Sequence, residues 1–138
     1  MLTNPFVTVE HKGEIYAYVL RADYEVDGLS FLNPATDQLQ IGIMKYSEGH
    51  SIVPHSHLEQ QRIIYGTPEA LIIRSGSLLV TFYDEHKVGV GDLILHAGDI
   101  ILLLSGGHGF TILEDATTIV EIKQGPYLDG KDKIKFDI

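Results

Sequence analysis

Hydrophobic and polar residues alternate with a two-residue period along most of the chain, and glycine, aspartate and serine interrupt the alternation. This pattern predicts short strands joined by turns, and no segment shows a long helical period. The turn signals recur about every 8–12 residues, which is typical of all-β sandwiches and barrels. The predicted strands are 14–20, 39–47, 50–57, 69–76, 77–85, 92–99, 99–105, 109–115 and 117–125.

The remaining segments are predicted to be turns and loops. Residues 23–37 read as a loop, residues 58–64 have room for a short helical turn, and the polar tail from residue 126 should lie on the surface. A Gly-Asp step occurs twice, and we expect Asp92 and Asp99 to enter strands from turns while capping backbone amides. Without a linker or low-complexity tract, residues 1–138 are predicted to form a single domain.

Composition limits the chemistry and the partners. The 138 residues are 44% hydrophobic, so the chain can bury a core, and the lack of cysteine leaves only nitrogen and oxygen atoms as metal ligands. The 19 acidic residues against 10 Lys and Arg give a formal net charge of −9, which argues against nucleic acid and anionic membranes as partners. A small anionic substrate stays open, because a local cationic pocket or a metal can outweigh the global charge.

Targeting signals are not apparent. The first residues lack a basic region followed by an apolar one, so we expect no signal peptide. The longest apolar run, residues 100–104, is far below the roughly 18 residues that a membrane helix needs. We therefore expect a soluble, cytoplasmic protein.

Two histidines, His55 and His57, are separated by one residue. On a strand they would point to the same side of the sheet and place two imidazoles close together. Two buried neutral imidazoles need partners and two protonated ones repel each other, whereas a divalent metal accepts both lone pairs. An isolated His-x-His pair is, however, more often an ordinary polar edge of a strand.

The residues around this pair form a longer pattern. Gly49 precedes His55 by six positions, Glu69 precedes Gly76 by seven, and a further histidine, His108, follows later in "GDIILLLSGGH". The arrangement resembles the cupin superfamily over residues 39–123. The resemblance implies an all-β cupin-type double-stranded β-helix, a jelly-roll barrel, that holds one divalent metal. Transferred to this chain, the metal ligands would be His55, His57, Glu69 and His108.

The chain departs from the family pattern in two places. Eleven residues separate His57 from Glu69, where the family has three or four, and Gln61 occupies the position that the short spacing would give to the glutamate. Either Gln61 is the third ligand or residues 58–68 form an enlarged turn and Glu69 opens the next strand. We favour Glu69, because a carboxylate binds a divalent ion better than an amide. The second motif lacks its proline and its final asparagine, and the Gly98 to His108 spacing is one residue short.

The resemblance implies several functions. A three-histidine, one-carboxylate set suits Fe, Mn, Zn, Ni or Cu and leaves positions open for a small-molecule ligand. The first hypothesis is a metal-dependent isomerase, epimerase, lyase or dioxygenase acting on a small polar or sugar-like molecule. The alternatives are a non-catalytic sugar or metabolite binding module and a metal-free sugar-nucleotide epimerase. The family resemblance also implies a homodimer.

Three residues of the enlarged turn are candidates for substrate binding. Arg62 and Tyr65 offer a cation and a hydroxyl to a carboxylate, phosphate or sugar, and Gln61 offers an amide to substrate or metal-bound water. The competing interpretation is a solvated arginine and a tyrosine that packs at the rim of the barrel. Lys123, near the end of the last predicted strand, is a candidate for anion binding. The competing interpretation is a lysine that is simply solvated.

Overall fold

The computed structural model of the protein describes residues 6–138. All regular structure in that range is β, which confirms the all-β prediction. The ten strands are β1 (Phe6–His11), β2 (Glu14–Leu20), β3 (Gly28–Phe31), β4 (Gly42–Lys45), β5 (Glu69–Ser75), β6 (Ser77–Tyr83), β7 (Gly89–His96), β8 (Ile100–Leu103), β9 (Gly107–Ile112) and β10 (Thr118–Lys123). Residues 1–5, on which part of the signal-peptide prediction rests, lie outside the described residues.

The chain divides into two compact units. Unit 1 contains residues 6–24 and 66–138 among the described residues, and unit 2 contains residues 25–65. Unit 1 holds Glu69 and His108, whereas unit 2 holds His55 and His57. The single-domain assignment stays a prediction.

Unit 1 is built from two antiparallel sheets. The strand order is β1-β2-β8-β5-β10 in one sheet and β7-β6-β9 in the other. Within the described residues, β7, β9 and β10 each pair on one side only, so strand pairing does not close either sheet into a barrel. The antiparallel all-β architecture is thus observed, and the cupin-type jelly-roll barrel stays a prediction.

The core of unit 1 follows from the alternation along its strands. On β5, Leu71 and Ile73 are buried on the side that they share with Glu69, as the sequence pattern predicts. β6 has three side chains, Leu78, Val80 and Phe82, that are essentially inaccessible to solvent. Their burial removes a large apolar area from water, which is the main stabilising contribution to a domain of this size. The core therefore supports the strands that carry Glu69 and His108.

Several strand predictions match the structure closely. β2 and β5 begin at the predicted residues, and β6, β8, β9 and β10 lie within or overlap the predicted ranges. The turn between β5 and β6 occurs at Gly76, whose φ of 81° lies in the left-handed region. Left-handed backbone costs a residue with a Cβ about 1–2 kcal/mol, which explains a glycine there.

Other strand predictions are wrong. Residues 50–57 form no strand, and residues 58–64 contain no helical turn. Pro54 has no amide hydrogen to donate to a strand neighbour, which disfavours pairing at this position. The supposed loop 23–37 contains β3, which pairs with β4, and β1 was not predicted at all. Short strands such as β3 depend on a distant partner, so local alternation is a weak signal for them.

The two Gly-Asp steps behave differently. Asp99 is buried after the turn at Gly98, where its carboxylate accepts hydrogen bonds from the amides of Ala22 and His96, so the capping prediction is confirmed. Asp92 is exposed within β7, so its assignment to a turn is wrong. β7 begins at Gly89 and continues past Asp92, because its backbone pairs with β6.

Unit 2 contains the β3–β4 hairpin and a well-bonded loop. Gly28 pairs with Lys45 and Phe31 with Gly42. The buried Asn33 donates to the carboxylate of Asp37 and to the carbonyl of Leu39, and it accepts from the amide of Ile41. This amide side chain therefore orders the connection between the two strands.

The C-terminal tail of unit 1 packs partly on the surface of that unit. The ring of Phe136 contacts the ring of Tyr83 edge-on, with centroids 5.3 Å apart. This contact agrees with the expected surface path of the tail. No helix in residues 6–138 is long and apolar enough to cross a bilayer.

Replacing Gly76 by alanine is expected to destabilise the protein by about 2 kcal/mol or more. A Cβ at this position would lie 2.8 Å from the Cα of Thr117, and the backbone would keep its left-handed conformation. The measurement is the free energy of unfolding in denaturant. The control is Gly91→Ala, where an added Cβ meets nothing within 4 Å and φ is not in the left-handed region. Equal stability losses in both variants would show that neither the left-handed backbone at Gly76 nor the close approach of Thr117 accounts for the loss.

Candidate functional site

Glu69 is the first residue of β5, and the strands β8 and β10 pair with β5 on either side of it. In the sheet register it faces Leu103 of β8 on one side and Lys123 of β10 on the other. Its side chain is 17% exposed, so the carboxylate is partly withdrawn from water. The strand therefore presents Glu69 on the core side at the end of a buried apolar row.

His108 approaches Glu69 from the other sheet of unit 1. It lies on β9 opposite Phe82 of β6, and its ring is 5.3 Å from that of Phe110. The Nε2 atom of His108 is 3.7 Å from Oε1 of Glu69, and the His108 side chain is 25% exposed. The fold thus brings together two residues that are far apart in the sequence and that the cupin resemblance paired.

The environment of this pair favours its neutral forms. Burial lowers the pKa of His108, and the negative charge of Glu121 opposes this shift. Burial also raises the pKa of Glu69 to about 7, with further contributions from a hydrogen bond and charge repulsion by Glu121 and an opposing effect from Lys123 and Lys133. Near neutral pH the imidazole is uncharged and Glu69 is partly protonated, so the 3.7 Å contact is not a full ion pair.

Glu121 is a residue that the sequence analysis missed. It lies on β10 opposite Leu71 and on the same side of the sheet as Glu69, two residues before Lys123. The signal for it was the two-residue alternation of the last strand, which places Glu121 and Lys123 on one face. The pairing of β10 with β5, which brings this face beside Glu69, is a tertiary feature.

Replacing Glu121 by glutamine is expected to lower the pKa of Glu69 below about 7 while burial still holds it above the ordinary value of 4.5. A group with a raised folded-state pKa stabilises the protein below its unfolded value and loses that contribution as the pH rises through the folded value. The variant should therefore lose less stability between pH 4.5 and 7 than the native protein.

The measurement is an NMR titration of the Glu69 carboxyl carbon, supported by unfolding experiments over the same pH range. The matched control is Glu114→Gln, which removes an exposed carboxylate from the turn between β9 and β10. An unchanged pKa of Glu69 in Glu121→Gln would show that Glu121 does not contribute to the raised pKa of Glu69.

His55 and His57 lie close together in unit 2, although they are not on a strand. Their ring centroids are 5.4 Å apart and the rings meet edge-on. Nδ1 of His55 is 2.8 Å from the carbonyl oxygen of Val53, which can only accept, so in the uncharged tautomer that makes this hydrogen bond the lone pair is on Nε2. Metal-binding histidines commonly donate their second ring nitrogen to a carbonyl in this manner.

The candidate substrate residues also belong to unit 2. Gln61, Arg62 and Tyr65 are exposed and outside regular structure. Their side chains are therefore accessible to a ligand from solvent, and their role stays a prediction. Within residues 6–138, no three His, Asp or Glu side chains are grouped so that they could hold one metal ion.

Comparison of the chain with protein-family models, with curated proteins and with solved structures found no match.

Proposed function

We propose that the protein is a cytoplasmic, homodimeric member of the cupin class whose jelly-roll barrel binds one divalent transition metal through His55, His57, Glu69 and His108. We further propose that it is a metal-dependent enzyme acting on a small polar or sugar-like molecule by isomerase, epimerase, lyase or dioxygenase chemistry. The observation that carries this proposal is the contact between Glu69 and His108, with His108 Nε2 3.7 Å from Glu69 Oε1 in a partly buried setting.

The donor chemistry supports a metal. Burial keeps the imidazole of His108 uncharged, and an uncharged imidazole is the form that coordinates a cation. The hydrogen bond of His55 to Val53 leaves its Nε2 lone pair available, and His57 lies beside it. Such imidazole and carboxylate donors suit Fe, Mn, Zn, Ni or Cu. The contact of Glu69 with His108 also favours Glu69 over Gln61 as the carboxylate position.

A bound metal would polarise a carbonyl or a pair of hydroxyl groups of the substrate, or support oxygen chemistry if it is iron. In this proposal Arg62 binds an anionic group of the substrate, and Gln61 and Tyr65 donate hydrogen bonds to its oxygens. The lysines near Glu69, Lys123 and Lys133, add positive charge that favours an anionic ligand at the same place.

The test is elemental analysis of the purified protein beside His55→Ala and Glu69→Ala, after incubation with Fe(II), Mn(II), Ni(II) and Zn(II) without oxygen. We expect close to one equivalent of metal in the native protein and almost none in either variant. The control is His86→Ala, which removes an exposed histidine outside the proposed ligand set.

The outcomes separate the hypotheses. If Glu69→Ala keeps the metal and His55→Ala loses it, then Gln61 or water, and not Glu69, is the third metal ligand. A native protein that stays metal-free would refute the metal-dependent enzyme and leave the binding module or the metal-free epimerase. Activity that is indifferent to chelators would favour the epimerase over the binding module.

A further inference from the structure

The C-terminal tail of unit 1 passes close to Glu69 and His108. We define the strap as residues 126–138, which follow β10 and contain neither strand nor helix. The amide of Gln124 donates to the carbonyl of Pro68 at 3.1 Å and extends the pairing of β10 with β5 by one step. The strap therefore begins at the end of the sheet where Glu69 lies.

The first contact of the strap with the sheets lies beside Glu69. Oγ1 of Thr67 donates to Oδ2 of Asp132 over 3.5 Å, and Thr67 precedes Glu69 by two residues. The next residue of the strap is Lys133. Burial is the largest influence on the pKa of Glu69 and raises it, whereas the charge of Lys133 acts in the opposite direction. The Lys133 ammonium group is therefore close enough to act on the Glu69 carboxylate.

The second contact of the strap lies beside His108. The ring of Phe136 packs edge-on against Tyr83 of β6, which pairs with Gly107, the residue before His108. A Cβ added at Gly107 would lie 3.2 Å from Cζ of Phe136, so the ring lies directly on the backbone of β9. Nζ of Lys87 is 5.7 Å from the centroid of the same ring, within the range of cation–π attraction. Phe136 therefore anchors the strap at this end.

The two contacts together determine where Lys133 lies. Four chain steps separate Asp132 from Phe136, and they span at most about 14 Å when extended. Over this short distance the strap passes from the start of β5, which carries Glu69, to β9, which carries His108. Lys133 follows the first contact directly. The strap therefore holds the ammonium group of Lys133 at the place where the two sheets bring Glu69 and His108 together.

The lysines near Glu69 are not used in ion pairs. Lys123 is opposite Glu69 in the register of β5 with β10, and its charge acts on Glu69 in the same direction as that of Lys133. In the chain from residue 6 to residue 138, neither lysine forms an ion pair with a carboxylate. Such a lysine keeps its N–H donors for a ligand, and its compact charge suits a carboxylate or a phosphate.

We propose that the strap positions Lys133 to bind the anionic group of a small substrate beside Glu69 and His108, and that Phe136 is the positioning residue. This inference rests on the proposed function, because it names the substrate class of the same site. Glu69 and Glu121 by themselves disfavour an anion, but the two lysines balance their charge, and a divalent cation on Glu69 makes the place positive. A small molecule with a carboxylate or phosphate group is therefore the expected ligand.

The test measures the binding of two probes, inorganic phosphate and acetate, by NMR titration of the full-length protein. One preparation is incubated with Zn(II) and desalted, and a second is treated with a chelator. We expect Lys133→Gln to weaken binding by about 10-fold or more, which is the size of effect that a hydrogen bond to a charged group has. The matched control is Lys135→Gln, which removes the same charge from the strap and should keep native affinity. The probe that binds more tightly distinguishes a phosphate ligand from a carboxylate.

A second set of variants tests whether Phe136 acts through Lys133. Phe136→Ala should weaken probe binding by a similar factor, whereas Ile138→Ala, which shortens the last apolar side chain of the strap, should not. The double variant Lys133→Gln with Phe136→Ala should bind no more weakly than Lys133→Gln, because both changes remove the same contact. Lys133→Arg keeps the charge and should keep most of the affinity. Additive losses in the double variant would show that Phe136 does not act through Lys133.

The possible results separate this inference from the proposed function. A native protein that binds neither probe overturns the inference, and so does native affinity in Lys133→Gln or in Phe136→Ala. If the same protein retains about one equivalent of zinc, the proposed function survives that result. A native protein that binds no metal refutes the proposed function, and the probes then decide the role of the strap: weaker binding in both variants supports it, and native affinity in either overturns it.

Discussion

The variant His108→Ala is expected to weaken metal binding by roughly 100-fold or more, because even a group that only supports a ligand typically contributes about 10–100-fold. His108 provides an imidazole that burial keeps uncharged, 3.7 Å from the Glu69 carboxylate. Alanine removes this nitrogen and leaves Glu69 as the sole ligand on that side of the proposed site. The measurement is a competition titration of the metal against a chelator of known affinity.

The control for this experiment is His86→Ala, because the His86 side chain is 75% exposed and lies outside the proposed ligand set. We expect its metal affinity to equal that of the native protein. Circular dichroism should show the same strand content in both variants. Native affinity in His108→Ala would remove the distant histidine from the ligand set and with it the second motif of the cupin resemblance.

The largest loss of stability is expected for Asp99→Ala, at about 3–4 kcal/mol. The Asp99 side chain is 5% exposed. Its Oδ1 accepts from the amide of Ala22 at 2.9 Å, and its Oδ2 accepts from the amide of His96 at 2.8 Å and from Nη1 of Arg21 at 3.0 Å. Alanine would leave two partly buried amides without an acceptor and the arginine without its counter-charge. Unfolding in urea gives the free-energy difference directly.

Two variants make this measurement specific. Asp92→Ala removes the aspartate of the other Gly-Asp step, which is exposed on β7, and should change stability by no more than about 0.5 kcal/mol. Asp99→Asn keeps the shape and one acceptor oxygen, and should fall between Asp99→Ala and the native protein. Equal losses for Asp92→Ala and Asp99→Ala would show that burial of the carboxylate does not explain the effect.

Local sequence patterns predicted much of the strand structure because their signals act over a few residues. Alternation located β2, β5 and β6, and glycine marked the turn at Gly76, where the left-handed backbone excludes a Cβ. The same reasoning failed for residues 50–57, where the His-x-His pair lies outside any strand. Apolar residues in that segment resemble a strand, but a strand also needs a partner to hydrogen-bond with.

The sequence predicted which residues belong to the candidate site, but it predicted only in part which of them lie close together in the fold. The cupin resemblance connected Glu69 with His108, and the fold brings them together by packing β5 and β9 from different sheets. Nothing in the local pattern around Glu69 indicates Glu121, because that neighbour comes from the register between β5 and β10. The raised pKa of Glu69 depends on the same register.

The amino-acid sequence alone therefore determined the all-β class, the lack of thiol ligands and the acidic charge, because composition and short-range periodicity carry that information. The tertiary structure alone decided which of the candidate site residues meet. It set the burial that changes the pKa values of Glu69 and His108, and the hydrogen bonds by which the Asp99 carboxylate connects distant segments. These features depend on contacts between segments that are distant in sequence, and local propensity does not encode such contacts.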